Sequence, residues 1–197
     1  MKKISARLGR RDTDSNASVN YTETTGGMAG VIGGLDVLSL NNNKPFEDQA
    51  TRDAIVAHAG AGKGLLLVHA ALWYSWKDWP EYNRTFVGGG SRGHDKYGEF
   101  EVTVTDPKHP VMAGVPATFT ITDELYYHVT DPEGAAMEVL ATGRSPVTGK
   151  VFPVVWITNN PKARIVCITL GHDGKAHEHP AYQSLLKNSL KWVAGRP

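Results

Sequence analysis

Gly64-Leu65-Leu66-Leu67-Val68-His69-Ala70-Ala71 is an uninterrupted apolar run that ends on an ionisable side chain. Continuous apolar runs are typical of strands that helices cover on both faces, as in a parallel sheet. In open α/β folds, ligands bind at the carboxyl ends of such strands. The stretch therefore predicts a buried strand of an α/β fold, with His69 at the ligand-binding edge, where imidazole can exchange protons near neutral pH.

A second segment near the C-terminus has the same form, because residues 164–170 are largely apolar and His172 follows them. Two strands that end in histidine predict one shared site at one edge of one sheet. The alternative is that His69 and His172 are unrelated histidines, each hydrogen-bonded within its own surroundings.

The segments around the first run predict how the sheet is built. Residues 36–40 form a predicted strand, residues 46–58 a predicted helix, and the strand that ends at His69 follows. This order implies a right-handed crossover and parallel pairing. Residues 19–22 are a candidate short edge strand. Further strands are predicted at residues 100–105, 118–122, 137–142, 152–157 and 164–170, before a last helix that ends at Gly195.

Composition limits the classes of function. The chain has 197 residues, of which 41% are hydrophobic, and this fits one domain with a sizeable core. A net charge of +1 gives no electrostatic case for nucleic acid or an anionic membrane as partner. No apolar run reaches the length of a membrane span, and no apolar region follows the basic N-terminal residues as in a secretory signal. Cys167 is the single cysteine, which permits a reducing compartment, so we expect a cytoplasmic protein.

Seven side chains are candidates for chemistry: His69, Arg92, His94, Asp123, Glu124, His128 and His172. A carboxylate beside imidazoles can orient a proton-transferring histidine or complete a metal site. A purely structural alternative has Asp123 capping a turn and Glu124 forming a surface ion pair. One residue separates His177 from His179. This spacing is only a weak metal signal, because it does not fit the helical zinc motif.

Aromatic and glycine-rich segments follow His69. The aromatic residues are Trp73, Tyr74, Trp76, Trp79 and Tyr82, and the tryptophans among them either stack on a sugar ring or form a core cluster. The glycine-rich residues 88–94 match neither a P-loop nor the dinucleotide fingerprint. Their backbone N–H groups could cradle an anion, and close backbone packing beside a polyol explains the glycines equally well.

Taken in order, these motifs resemble the trehalose-utilization (ThuA-like) family over most of the chain, from about residue 36 to residue 195. The matching segments are the run ending at His69, residues 88–94, Asp106-Pro107-Lys108-His109-Pro110-Val111, Asp123-Glu124-Leu125-Tyr126, Pro153-Val154-Val155-Trp156, Leu170-Gly171-His172 and Trp192-Val193-Ala194-Gly195.

The resemblance implies a single domain over residues 1–197, with the fold of class I glutamine amidotransferases. That fold is a flavodoxin-like three-layer α/β sandwich with a mostly parallel central sheet. Amidotransferases carry a cysteine on the turn where this chain has His69, so we expect no glutaminase activity. His172 falls near the position of the amidotransferase histidine. Residues 1–30 show no convincing version of the family's first strand, so we expect this segment to be atypical or truncated.

The resemblance also implies a role in carbohydrate metabolism, acting on trehalose or a related disaccharide, including its 3-keto form. We expect acid–base catalysis by His69, His94, Asp123, Glu124 and His172. The expected substrate-binding residues are Trp73, Arg92, Tyr126 and His128. No cofactor is certain, and a divalent metal such as zinc is left open, as is a homo-oligomer. The alternative function is a non-catalytic sugar-binding or interaction module on the same fold.

Overall fold

A computed structural model describes residues 18–73 and 78–195. Nine strands lie within this part of the chain: β1 (Val37–Leu40), β2 (Gly64–Val68), β3 (Gly89–His94), β4 (Gly98–Val104), β5 (Thr118–Asp123), β6 (Tyr126–Thr130), β7 (Met137–Arg144), β8 (Val151–Thr158) and β9 (Ile165–Ile168). The α-helices are α1 (Ala29–Ile32), α2 (Gln49–Gly60), α3 (Pro80–Tyr82), α4 (Gly174–Glu178) and α5 (Pro180–Val193). None of the helices in the described part is long and apolar enough to cross a membrane.

The main sheet is mixed, and the prediction of a mostly parallel sheet was wrong. Its seven strands lie in the order β1-β2-β9-β8-β7-β4-β5. Pairing is parallel only from β1 to β2 and from β2 to β9, whereas the remaining pairs are antiparallel. Connection length explains two of the antiparallel pairs, β7–β8 and β8–β9. Helix α2 crosses from β1 to β2, but short turns join β7 to β8 and β8 to β9, and short turns can only join antiparallel neighbours.

Strand β2 separates two hydrophobic cores. Leu65 and Leu67 belong to the core that contains α2, and Leu66 and Val68 belong to the core that contains α5. All five strand residues are buried. Helices therefore cover both faces of the sheet at its parallel end, as the continuous apolar run predicted.

Gly64, at the start of β2, explains how closely α5 approaches the sheet. A Cβ atom at this position would lie 2.3 Å from the carbonyl oxygen of Val193, near the C-terminus of α5. A larger residue would push the helix end away from the strand. The glycine that opens the apolar run is therefore a packing requirement.

Several element boundaries differ from the predictions. Helix α2 begins at Gln49, because the Asp48 side chain accepts a hydrogen bond from the backbone N–H of Thr51 at 2.7 Å and caps the helix there. Residues 19–22, a candidate edge strand, form no strand. The glycine-rich segment contains β3, which pairs with β6 in a separate two-stranded sheet. The expectation for the N-terminal segment falls largely on residues 1–17, outside the described residues.

The aromatic residues after His69 divide between core and site. Trp79 and Tyr82 are buried in the core with Phe46 and Phe86, which supports the core alternative for these two. Trp73 lies at the sheet edge beside His94, with ring centroids 5.5 Å apart. Tyr74 and Trp76 lie outside the described residues.

We predict that Cys167 does not react while the protein is folded. The residue is fully buried in β9, and burial raises the pKa of its thiol to about 12. Thiolate, the reactive form, is therefore scarce at neutral pH. A maleimide or disulfide reagent should label the chain in denaturant but not under native conditions. Rapid labelling of the folded protein would contradict this placement.

Candidate functional site

His69 is the first residue after β2 and lies in a strained turn. Its φ angle is +45°, and among the described residues it is the only non-glycine with positive φ. It begins a short 3-10 helix, His69–Leu72. Such a conformation costs on the order of 1–3 kcal/mol and persists only where the surroundings impose it. The turn directs the imidazole across the edge of the sheet towards β9.

The hydrogen bonds of His69 fix its tautomer. Nδ1 lies 2.7 Å from the backbone carbonyl oxygen of Thr169. A carbonyl oxygen only accepts, so Nδ1 carries the hydrogen and Nε2 keeps its lone pair. Burial lowers the pKa of His69 to about 4. The ring is therefore neutral at pH 7, and its unprotonated Nε2 accepts a hydrogen bond from the Tyr126 hydroxyl.

Three polar groups surround that lone pair. The Tyr126 hydroxyl lies 3.0 Å from Nε2 of His69, Nδ1 of His172 lies 3.2 Å away, and Oε2 of Glu124 lies 3.7 Å away. Glu124 also lies 3.1 Å from Nδ1 of His172, through the same Oε2 atom. We call these four side chains, together with His94, the His–Glu cluster.

His94 lies at the rim of the His–Glu cluster. Its Nδ1 atom donates to the backbone carbonyl of Asp95 at 2.7 Å and lies 3.9 Å from Oε1 of Glu124. Trp73 packs beside it and also contacts the Tyr126 ring, with centroids 5.2 Å apart. The cluster thus has an aromatic wall on one side and the partly exposed rings of His94 and His172 on the solvent side.

Asp123 lies behind the His–Glu cluster and is fully buried. Its carboxylate accepts three backbone hydrogen bonds, from Gly171 at 2.7 Å, His172 at 3.2 Å and Glu124 at 2.7 Å. Burial raises the pKa of Asp123 to about 6, whereas the three N–H groups favour the charged form. Asp123 therefore holds the backbone of two residues of the His–Glu cluster, Glu124 and His172.

The Asp123 contacts also require the sheet to curl. Strand β5 is four positions away from β9 in the strand order. In a flat sheet, four strand spacings would separate them by roughly 19 Å, but Asp123 at the end of β5 bonds directly to Gly171, just beyond β9. The antiparallel half of the sheet therefore wraps round to bring Glu124 to the two histidines.

His128 and Arg92 are next to the site on the two-stranded sheet. His128 lies two residues after Tyr126 on β6, is 6% exposed, and packs on the Trp156 indole with centroids 4.5 Å apart. Burial and the positive charge of Arg92 lower the pKa of His128 to about 4. Arg92 is exposed on β3 and donates to the Ser91 carbonyl at 3.3 Å.

One group in the described part of the chain has the composition and spacing of a metal site: His69, Glu124 and His172, whose ligand atoms lie within 4.8 Å of one another. His177 and His179 do not join it. Nε2 of His177 contacts the Gly171 carbonyl at 3.1 Å, and Nδ1 of His179 accepts from the N–H of Ala181, capping α5.

Two contributors to the site were not predicted. The Thr169 carbonyl orients His69, but a backbone acceptor leaves no signal in the sequence. Tyr97 lies beside the His172 ring, with centroids 5.5 Å apart, and donates to Asp173 at 2.7 Å. Its position directly before β4 gave no reason to connect it with a loop 76 residues away.

Comparison with known proteins agrees with the sequence resemblance. The family profile described as trehalose utilisation (ThuA) matches residues 4–193. No curated protein sequence matches the chain.

Solved structures share the fold. A ThuA-like protein from Parabacteroides merdae has a TM-score of 0.75 at 24% identity, and the match covers 86% of this chain and 75% of that one. A ThuA-like protein from Bacteroides uniformis has a TM-score of 0.69 at 24% identity, with 84% and 71% covered. A GMP synthase component from Thermoplasma acidophilum has a TM-score of 0.55 at 11% identity, with 87% and 79% covered.

We predict that Asp123→Asn destabilises the fold by about 1–3 kcal/mol, the cost of one buried donor left unpaired. An asparagine keeps one acceptor oxygen but turns an NH2 group towards backbone N–H donors, and each buried donor left unpaired costs about 1–3 kcal/mol. Denaturant unfolding measures the loss. Asp173→Asn is the matched control, because Asp173 caps α4 from a partly exposed position and asparagine caps equally well. Equal effects of the two substitutions would contradict the role assigned to Asp123.

We also predict that the free energy of unfolding falls as the pH drops from about 6.5 to about 4. In this pH range His128 is protonated in the unfolded chain, whereas burial keeps it neutral in the folded protein. His69 acts in the same direction, whereas Asp123 acts in the opposite one because burial raises its pKa to about 6, and the two histidines together outweigh it. Thermal unfolding across this range should show a shallower loss for His128→Leu than for the unmodified protein. An unchanged pH slope in the variant would mean that His128 titrates normally when folded.

Proposed function

The chain belongs to the ThuA family, described as trehalose utilisation, and from that premise we propose that it is an enzyme of carbohydrate metabolism. Its reaction is proton transfer next to a sugar carbonyl, on a 3-keto form of trehalose or of a related disaccharide. The His–Glu cluster performs the transfer. The family assignment carries the general link to carbohydrates, and the side chains at the sheet edge suggest the chemistry.

One observation carries this proposal: the Nε2 lone pair of His69. The Thr169 hydrogen bond keeps it unprotonated, and it lies 3.0–3.7 Å from a hydroxyl, an imidazole and a carboxylate. A site that only binds neutral hydroxyl groups has little need for an imidazole nitrogen that is kept unprotonated at its centre. A site that moves protons needs such an atom within hydrogen-bond reach of the reacting group.

In the proposed reaction, the cluster and the substrate supply every proton and electron pair that moves. A basic atom of the cluster accepts the hydrogen from the carbon next to the carbonyl. The electron pair of the broken C–H bond forms the C=C bond of an enediol, and the carbonyl π electrons move to oxygen. A proton from Tyr126 or an imidazolium of the cluster neutralises that oxygen. Return of a proton to either carbon completes an exchange or an isomerisation.

The residues around the cluster supply binding. Trp73 offers an aromatic face for a sugar ring, beside the partly exposed imidazole of His94. We assign more distant hydroxyl groups to Arg92, which is exposed on β3, and no sugar contact to His128, which is buried against Trp156. Asp123 is a positioning residue in this scheme, because its three hydrogen bonds fix the backbone of Glu124 and His172.

We expect His69→Ala and His172→Ala each to reduce kcat by at least about 10², the lower end of what acid–base groups contribute. Sugar affinity should stay within about tenfold, because binding of a neutral polyol is spread over many contacts. Steady-state kinetics and calorimetry measure the two effects separately. Full turnover in either variant would remove that histidine from the reaction.

Trp73→Ala should show the reverse pattern. Removal of the aromatic face weakens sugar binding first, because stacking stabilises bound substrate and reacting substrate alike. A larger loss in kcat than in affinity would contradict the stacking role. Thermal unfolding of the variant serves as the control for folding.

Incubation with 3-keto-sugars in deuterated water tests the proposed reaction itself. The unmodified protein should introduce deuterium next to the carbonyl, as seen by NMR or mass spectrometry. No exchange and no product with keto-sugars that bind would favour the non-catalytic sugar-binding module. That module predicts that substitutions of His69, His172 and Trp73 lower affinity only.

A further inference from the structure

We propose that His69, Glu124 and His172 form a binding site for one divalent transition-metal cation, through Nε2, Oε2 and Nδ1 respectively. The inference concerns the same site as the proposed function and deepens it, by assigning the group that polarises the sugar carbonyl. It rests on geometry and ligand chemistry, and metal binding can be measured without any substrate.

The distances between the three ligand atoms fit a single ion. Nδ1 of His172 and Oε2 of Glu124 are 3.1 Å apart, the two imidazole nitrogens are 3.2 Å apart, and Nε2 of His69 lies 3.7 Å from Oε2. Ligand atoms bonded at ~2.1 Å lie about 3.0 Å apart at right angles and about 3.4 Å apart at the tetrahedral angle. The triangle therefore needs little rearrangement to take up an ion.

His69 offers one ring atom to this triangle. Its Nδ1–H is held by the Thr169 carbonyl, which leaves Nε2 as the only ring atom able to bind a cation. Nε2 of His69 and Nδ1 of His172 face each other, so without a cation one of the two must carry a proton. A cation replaces that proton and allows both lone pairs to point inwards.

The surroundings of the three ligands resemble the outer support of metal sites. Metal-binding histidines usually donate their second ring N–H to a carbonyl or carboxylate, and this fixes the ring orientation. His69 does so through Thr169. Asp123 holds the backbone of Glu124 and His172 from behind. The ligands are thus set in place by contacts that do not involve the cation.

Two imidazoles and one carboxylate select the class of cation. Imidazole ligands suit zinc, nickel, cobalt and iron(II), whereas calcium and magnesium prefer sites made only of oxygen atoms. Three protein ligands leave coordination positions open, as in catalytic rather than structural sites. The adjacent carbonyl and hydroxyl oxygens of a keto-sugar can fill these positions, and contact with the cation polarises the carbonyl.

Glu124 keeps a free oxygen when Oε2 binds the cation. Oε1 lies on the side of His94, 3.9 Å from its Nδ1 atom. With both imidazole lone pairs used by the cation, Oε1 is the basic atom left to accept the substrate proton. Metal binding and proton transfer can therefore coexist in one cluster.

The test is titration of the full chain, stripped with a chelator, with Zn²⁺ and separately with Co²⁺. Calorimetry should show one site per chain, and Co²⁺ should give visible absorption bands. His172→Ala and Glu124→Gln should each weaken binding at least about tenfold, and His69→Ala about a hundredfold. His179→Asn is the matched control, because it removes an imidazole outside the cluster while keeping a good helix cap, and it should bind like the unmodified protein.

Absence of saturable binding, or equal affinities for His179→Asn and the three cluster variants, would overturn the inference. His172→Ala and Glu124→Gln decide the outcome if His69→Ala does not fold, since both residues lie nearer the surface than His69. Cation binding without deuterium exchange into keto-sugars would support this site and contradict the proposed function. Exchange that persists in protein shown to bind no cation would overturn this site and leave the proposed function in place.

Discussion

The hydrogen bond from Nδ1 of His69 to the Thr169 carbonyl, 2.7 Å long, is the contact on which the site depends. It joins the ends of β2 and β9, which are parallel neighbours in the sheet. It compensates for the strained backbone at His69 and determines which ring nitrogen carries the hydrogen. As a result, the unprotonated Nε2 atom of His69 has a defined position at the end of β2.

The rest of the site depends on how far the sheet curls. Parallel strands alone bring only His69 and His172 together, because Glu124 follows β5 at the opposite end of the strand order. The buried Asp123 carboxylate bridges this separation by accepting N–H groups from both loops. A negative charge inside the protein is tolerated here because three donors surround it.

The local parts of this arrangement could be predicted from sequence, and the long-range parts could not. The continuous apolar run before His69 predicted β2 and the burial of both its faces, because a strand that is apolar throughout is one that is covered on both faces. Pairing direction is not encoded in such a run, so the antiparallel half of the sheet was missed. Strand β3 was missed as well, because Gly89, Gly90 and Gly93 break the alternation that marks strands.

The same division holds within the site. Histidines at strand ends and acids after a strand indicated His69, His172 and Glu124, because strand ends that share a direction lie at one edge of the sheet; the curl of the sheet then brings Glu124 to the histidines. The direction in which Asp123 points depends on the curl of the sheet, which no local pattern records. Glu124 is also acidic and follows the same strand. Its carboxylate nevertheless contacts the His172 ring, whereas that of Asp123 contacts the Gly171 backbone.

The tautomer of His69 is the most direct test of this account. Nitrogen-15 NMR of histidine-labelled, metal-free protein distinguishes the protonated from the unprotonated ring nitrogens. The account predicts a neutral His69 ring at pH 7, with hydrogen on Nδ1 and a bare Nε2, that stays neutral down to a pH near 4. A hydrogen on Nε2, or a doubly protonated ring at pH 7, would contradict it, because the cluster would then have no free lone pair at its centre.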